Sequence, residues 1–332
     1  MNIFDIKSSI CEAKYYELLA PSVFNPTEEK LKARAEKYQK NENVKIFAYE
    51  EDGEFKGVIV FDISENNATI LDIAVKPRYQ KSGIGTRLIN FIFSKVHPQK
   101  ITAETDDDAI GFYKKYGFTV AYTKVEFGTK RYACVCESIT HHYDLLIDEN
   151  NDPVHDPKPL QDYMDKWDGQ AFIDKMELDV SKSVLEIGVG TGRLAVRVVP
   201  LCCHFCGIDL SLKTVERANA NLSGLSNVTL VSDDFLSFDF NETFDVIYSS
   251  LTFMHIEEKS VAINKAAALL NKGGIFMLSI DKSQNTFIDT GSSKIKIYPD
   301  SPENIESLII KSGLKLSEHY ETEFAHIFKA IK

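Results

Sequence analysis

Val184-Leu185-Glu186-Ile187-Gly188-Val189-Gly190-Thr191-Gly192-Arg193-Leu194 decides the fold of the second half of this chain. An apolar run, three alternating glycines and a helical pattern read as strand, tight loop and helix. A dinucleotide-binding turn would be spaced Gly-x-Gly-x-x-Gly to receive a pyrophosphate. Arg193 stands where its last glycine belongs, so the bare loop leaves a nicotinamide dinucleotide as a rival and the surroundings have to decide. Working outward, strand-like runs at 183–187, 204–209, 228–232, 244–248 and 274–280 are separated by helical segments. That alternation predicts an α/β, doubly wound, Rossmann-like sheet with helices on both faces.

Upstream, residues 139–159 change character, with His141-His142, the acidic turn Asp148-Glu149-Asn150-Asn151-Asp152-Pro153 and two further prolines. The composition predicts a polar linker, so the expected domains are 1–138 and 160–332. The first is not strictly alternating. Helical spacing at 6–20 and 27–40 precedes β-rich runs at 44–49, 56–61 and 68–75, with Glu51-Asp52-Gly53 as a hairpin turn. A helix over 85–96, a strand near 101–104, a helix over 108–116 and strands through 118–126 and 132–136 follow, which predicts an α+β domain. An opening strand would be confined to 2–5.

The informative segment of this first domain runs Leu71-Asp72-Ile73-Ala74-Val75-Lys76-Pro77-Arg78-Tyr79-Gln80-Lys81-Ser82-Gly83-Ile84-Gly85-Thr86-Arg87-Leu88. A strand ends, a turn with two glycines follows and a helix begins, so successive N–H groups converge at the positive end of a helix and form an anion cradle. Lys81, Arg87 and Arg78 add charge around it. The pattern Gln80-x-x-Gly83-x-Gly85 after Val75-x-Pro77-x-Tyr79 resembles the pyrophosphate-binding motif of GNAT acetyltransferases, and the stretch from Glu104 through Ala109-Ile110-Gly111-Phe112-Tyr113 to Phe118 resembles that family's second motif. The resemblance implies that Gln80, Lys81, Ser82, Gly83, Ile84, Gly85 and Thr86 hold the pyrophosphate of acetyl-CoA, and that Ile73, Ala74 and Val75 pair with its pantetheine arm like an added strand. It places Tyr113 as the general acid that returns a proton to the departing thiolate. Asp106 falls where the family frequently has an asparagine on the pantetheine arm. For the base that frees the acceptor amine, Glu104 is the first candidate and Asp72 the second.

The pattern Glu186-x-Gly188-x-Gly190-x-Gly192 resembles the first motif of class I methyltransferases. Gly207-Ile208-Asp209-Leu210-Ser211, Ser232-Asp233-Asp234-Phe235, Phe244 through Ser249-Ser250 with Met254-His255-Ile256, and Leu270 through Phe276 resemble later motifs in the same order. The resemblance implies S-adenosylmethionine bound by Glu186, Gly188, Gly190 and Gly192 at its amino-acid end and by Asp209 with Leu210 at the ribose. Asp233, Asp234 and Phe235 are implied at the adenine, with Ser249 at the end of the fourth strand. His255, beyond that strand, is the candidate base for a hydroxyl or amine acceptor. Tyr163, Trp167 and Phe172 form an aromatic stripe that reads equally as a lid or as packing.

The 332 residues, 44% hydrophobic and 26% charged, suit two soluble globular domains. A net charge of −11 disfavours nucleic acid, and no apolar run approaches the roughly 20 residues of a membrane helix. The absence of a signal-like start leads to a cytoplasmic expectation. Six cysteines form no disulfide framework; the cluster Cys202-Cys203-His204-Phe205-Cys206 could hold zinc, but its lead into a strand favours packing beneath a sheet, so no metal is expected. The partners expected are small-molecule amine or hydroxyl acceptors, served by a bifunctional transferase. A reading from another class is a sensor in which one domain binds its cofactor without turnover.

Overall fold

The structure, a computed structural model, describes residues 3–126, 128–289 and 294–332. Asn2, expected to open the first strand, lies outside them. The chain divides into two compact units, Met1–Ile139 with Asp289–Ile295 and Thr140–Ile288 with Lys296–Lys332.

The first unit runs β1 (Ile3–Asp5), α1 (Ala13–Tyr16), α2 (Glu28–Lys40), β2 (Val44–Glu51), β3 (Glu54–Ser64), β4 (Asn67–Val75), α3 (Ile84–Val96), β5 (Lys100–Asp106), α4 (Ile110–Tyr116), β6 (Thr119–Glu126) and β7 (Thr129–Glu137). The helical spacing over 6–20 yields a four-residue α1 between two 3₁₀ turns, Lys7–Ser9 and Glu17–Ser22. Pro21, in the second turn, has no N–H with which to continue an α-helix. α2 starts where the Thr27 hydroxyl accepts the Lys30 N–H at 3.3 Å, and it buries Leu31, Ala35 and Tyr38 along one stripe. The β2–β3 turn places Asp52 and Gly53 both at positive φ, the form that matches the twist of a two-residue hairpin.

The sheet order is β1-β2-β3-β4-β5-β7-β6. Apolar clusters cover both faces: Ile59, Phe61, Ile70, Leu88, Ala103 and Tyr113 share one, and Ile10, Leu31, Tyr38, Val58, Val60 and Ala74 the other. β4 and β5 are parallel and paired from Asn67↔Lys100 to Ile70↔Ala103. Both strands continue beyond that last pair, β4 to Val75 and β5 to Asp106. A slot therefore opens between them. At its start a bulge against β3 steps the register from Phe61↔Ile70 to Val60↔Asp72. The bulge flips side-chain parity, so Ala74 joins the opposite cluster from Ile70.

The second unit contains α5 (Ile139–Asp148), α6 (Lys158–Met164), α7 (Gly169–Asp174), β8 (Ser183–Ile187), α8 (Ala195–Val198), β9 (His204–Asp209), α9 (Leu212–Asn221), β10 (Val228–Ser232) and β11 (Phe244–Ser249). It continues with α10 (Lys259–Leu269), β12 (Leu270–Asp281), α11 (Pro302–Lys311), β15 (Lys315–Glu321) and β16 (Ala325–Ile331), while the short β13 (Phe287–Asp289) and β14 (Lys294–Lys296) fall where the division between the units crosses the chain. Its sheet order is β10-β9-β8-β11-β12-β16-β15, parallel from β10 to β12, with β16 antiparallel to both of its neighbours. The five expected strands are present, and β15 and β16 are additions to the sequence reading. Strand order reverses between β8 and β11, and the crevice outside the carboxyl ends at such a point is where open α/β sheets bind ligands.

The stretch 139–159, expected as a linker, is structured. α5 occupies its first ten residues, and Asp144 accepts the Ser211 hydroxyl at 2.7 Å while Asp148 pairs with Lys213 at 2.6 Å. Asp152 takes the Asn221 amide at 3.1 Å and lies 3.3 Å from Arg217. Its acidic residues, which read as a solvated run, are partners of basic and amide groups on α9.

Candidate functional site

In the first unit the loop after β4 bends through Lys81 at φ +63° and Gly83 at φ +86° into α3. Among the described residues no acceptor takes the backbone N–H groups of Lys81, Ser82, Gly83, Ile84, Gly85 or Thr86. A row of free amides at the start of a thirteen-residue helix is an anion receptor. Gly83 is required by its left-handed backbone. Gly85 has another reason: a Cβ there would stand 2.9 Å from the Phe112 ring of α4. Of the expected cations, Arg78 joins Lys76 and Tyr79 around Glu54, whose carboxyl these hydrogen bonds pull down to about 2, and Arg87 donates to the Tyr49 hydroxyl at 2.8 Å. Lys81 stays exposed at the loop.

Ile73, Ala74 and Val75 line the slot on the β4 side. Tyr113 is buried against Phe112 and Phe118; burial, and then the neighbouring Cys134, Asp72 and Asp106, push its phenol well above the usual range. Its hydroxyl has no hydrogen-bond partner among the described residues. Glu104 alternates with Ala103 and so lies on the opposite sheet face, exposed, 3.9 Å from Arg131. Asp72 is on that face too, but both its oxygens are taken, by Arg34 at 2.7 and 2.9 Å and by the Tyr38 hydroxyl at 2.6 Å. A fork-to-fork pair of this kind removes Asp72 as a free base. Asp106 accepts the N–H groups of Asp108 and Ala109 at 3.2 and 3.3 Å, both on Oδ1, which ties it to the turn before α4.

In the second unit most of the glycine loop's amides are bonded within the protein. Gly188 and Val189 both donate to the Ile208 carbonyl, at 2.8 and 3.1 Å, Gly190 donates to Asp209 Oδ2 at 3.0 Å, and Gly192 donates to the Val189 carbonyl at 3.0 Å. Among the described residues the N–H groups of Thr191, Arg193 and Leu194 have no such acceptor, so what stands against the dinucleotide rival is the glycine spacing, with Arg193 in the place of the last glycine. A Cβ on Gly188 would lie 2.0 Å from Thr252 Oγ1, so the loop after β11 presses directly on the backbone. Asp209 also accepts the Ser211 N–H at 3.1 Å, and burial raises its carboxyl against those hydrogen bonds. Leu210 beside it is exposed. Asp233 and Asp234 end β10, where the Asp234 carboxylate accepts the Leu236 N–H at 2.9 Å and Phe235 enters the core.

Two of the residues expected to contact the donor also have partners within the protein. Glu186 is fully buried and accepts the Tyr248 hydroxyl at 2.7 Å; burial pushes its carboxyl up to about 8. Ser249 is buried and donates to the Ile187 carbonyl at 2.8 Å, which ties β11 to β8. Sequence reasoning missed the group beside Glu186, in which buried Asp168 caps α7, pairs with Arg193 and accepts the Ser250 hydroxyl at 2.7 Å. Arg193, read only as a departure from the dinucleotide spacing, anchors this group. Trp167 donates to Asp281 at 2.8 Å and meets Tyr163 edge-on and Phe324 at a tilt, whereas Phe172 packs on Tyr248 in the core and Tyr163 stays exposed.

His255 is half-buried just beyond β11, and the loss of solvation around its ring, with His142 and Lys259 nearby, pushes it down to about 4. Its Nε2 lies 2.9 Å from the Tyr143 hydroxyl of α5. Cys202 and Cys206 are buried around β9, their thiols pushed up to about 11 and 12 by burial, while Cys203 is exposed. Among the described residues no group of three or more His, Cys, Asp or Glu is gathered to hold a metal, and no helix is long and apolar enough to cross a membrane.

Comparison with known proteins divides the chain in the same order. An acetyltransferase (GNAT) domain model matches residues 13–130, and a methyltransferase domain model matches residues 184–274. A methyltransferase of uncharacterized activity from Anoxybacillus flavithermus is 28% identical over 190 residues, covering 52% of this chain and 88% of that protein. One from Bacillus thuringiensis is 37% identical over 126 residues, 36% of this chain and 58% of its own length. Among solved structures, the N-methyltransferase NodS from Bradyrhizobium japonicum, in complex with S-adenosyl-L-homocysteine, overlays with a TM-score of 0.46 at 17% identity, covering 57% of this chain and 97% of NodS.

Proposed function

We propose that this chain is a transferase with two active sites, one moving an acetyl group from acetyl-CoA to an amine and one moving a methyl group from S-adenosylmethionine to a small-molecule acceptor. The observation that carries the reading is the contrast between the two glycine loops. Free amides at 81–86 suit the CoA pyrophosphate, and the slot beyond Ile70 and Ala103 offers the β4 edge to its pantetheine arm. Tyr113 on one face of the slot and Glu104 on the other would let a thiolate leave on one side while an amine is deprotonated on the other. The loop at 188–192, whose four amides at Gly188, Val189, Gly190 and Gly192 are bonded within the protein and which Arg193 follows in place of a last glycine, suits a donor without phosphates, with Asp209 at the switch point as acceptor for ribose hydroxyls. S-Adenosylmethionine supplies an intrinsically reactive sulfonium, so the residues around it bind, orient and exclude water.

Calorimetry on the full chain tests the reading. Each cofactor should bind with one site, and saturation with one should leave the other's site open. Asp209→Ala should weaken S-adenosylmethionine by about 1–3 kcal/mol and leave acetyl-CoA unchanged. Mutual exclusion of the cofactors, or unaltered S-adenosylmethionine affinity in the Asp209 variant, counts against it. Binding of both cofactors with no label transferred to any amine or hydroxyl acceptor would favour the sensor.

A further inference from the structure

The Tyr143–His255 contact is not used by the functional reading above. Tyr143 comes from α5, which is fixed on the second unit by Asp144 on Ser211 and by Asp148 on Lys213. Its ring stands edge-on to the imidazole at 5.7 Å, and its burial and the nearby Asp209 hold the phenol protonated. The imidazole is neutral over the physiological range, with Lys259 and His142 both opposing a positive charge there. A neutral ring carries one proton, and the other nitrogen, Nδ1, is buried without a partner among the described residues.

Two arrangements are possible. If Nε2 carries the proton and donates to Tyr143, the phenol proton has no acceptor among the described residues, and the Nδ1 lone pair is orphaned as well. If the phenol donates to Nε2, a single group is orphaned, the Nδ1 N–H. Phenol is the better acid of the two, and unpaired buried polar groups are costly, so the second arrangement is favoured. From this geometry we infer that Tyr143 locks His255 as the Nδ1–H tautomer, so that a neutral N–H donor just beyond β11, buried in the free protein, awaits an oxygen lone pair that ligand binding brings. The inference rests on reading this cleft as the methyl-donor site, and it replaces the base expected at His255: Nε2 is blocked and Nδ1 is already protonated. The lone pair comes from the donor's carboxylate or ribose, or from an oxygen of the methyl acceptor. Tyr143 is a positioning residue.

The test is two-bond proton–nitrogen correlation of the histidine rings in the nitrogen-15-labelled full chain near pH 7.5, with His255→Gln identifying the His255 signals by their disappearance. Wild type should show Nδ1 protonated and Nε2 bare, and Tyr143→Phe should lose that preference. An Nε2–H pattern in wild type, which needs no variant to fold, overturns the inference; so does a Tyr143→Phe pattern identical to wild type. Addition of S-adenosylhomocysteine separates the sources of the lone pair: a displaced Nδ1–H signal assigns it to the donor, and an unmoved signal under proven binding assigns it to the acceptor. Failure of S-adenosylhomocysteine to bind, with the tautomer intact, would sink the methyl-donor reading and leave the tautomer standing.

Discussion

The loop at 80–86 and the loop at 188–192 both lead from a strand towards a helix through glycines, yet they differ in where their N–H groups go. In the first the amides are open, and the charge around them is balanced: residues up to Ile139 carry twenty Lys and Arg against twenty Asp and Glu. In the second the amides of Gly188, Val189 and Gly190 go to β9 and that of Gly192 to the Val189 carbonyl, and residues from Thr140 onward carry eighteen against twenty-nine, so the whole excess of negative charge lies in that half. A glycine loop is thus not one device. With its amides free it is a receptor for phosphate; with them spent it is a shaped wall against which a ligand lies without an anion.

The sharpest way to break the comparison uses buried charge. Glu54 in the first unit is pulled down by three donors, whereas Glu186 in the second is pushed up to about 8 by burial. Below pH 4.5 Glu186 is protonated in both folded and unfolded chains. Between 4.5 and 8 the folded protein keeps a proton that the unfolded chain has lost, so this contribution to stability falls as pH rises, by about 1.4 kcal/mol per unit and on the order of 5 kcal/mol in all. Glu186→Gln should therefore unfold later than wild type at pH 9 and gain much less at pH 5. Trp167, the one tryptophan in the sequence, sits in the second unit and reports its urea unfolding. Equal shifts of midpoint at both pH values would show that Glu186 titrates like a surface carboxyl.

The glycines give the next effect. Gly188→Ala meets both a left-handed backbone and the Thr252 side chain, and should cost the second unit about 2–5 kcal/mol. Gly83→Ala meets the backbone cost alone, with nothing within 4 Å of the new Cβ, and should cost about 1–2 kcal/mol. Urea melts followed by Trp167 fluorescence for the former and by far-ultraviolet circular dichroism for the latter measure the pair. Equal costs would mean that the Thr252 loop moves away freely, and that the wall is softer than its geometry.

The smallest stability effect separates chemistry from packing. Tyr113→Phe keeps the ring between Phe112 and Phe118. Acetyl-CoA affinity should hold while acetyl transfer falls by roughly 10²-fold, and S-adenosylmethionine binding should not respond. Transfer near the wild-type rate would leave Tyr113 as a core residue.

The sequence by itself determined the two architectures and their order, because strand and helix periodicities and glycine spacings are local properties of the chain. It located both loops, Asp209 at the end of β9 and Tyr113 on α4 for the same reason. The fates of side chains were settled by tertiary structure. Asp72 read as a free carboxylate until α2 delivered Arg34 and Tyr38, and the acidic run after α5 read as a linker until α9 supplied its partners. Glu186 and Ser249 read as ligand contacts, and the alignment of β8 with β11 also bonds Glu186 Oε2 to the Tyr248 hydroxyl and Ser249 to the Ile187 carbonyl. His255 stood alone in the sequence, 112 residues from the tyrosine whose hydroxyl it meets. A hydrogen bond depends on ångström distances between elements remote in the chain, and periodicity, which says which face a residue occupies, carries no information about what the fold brings to that face.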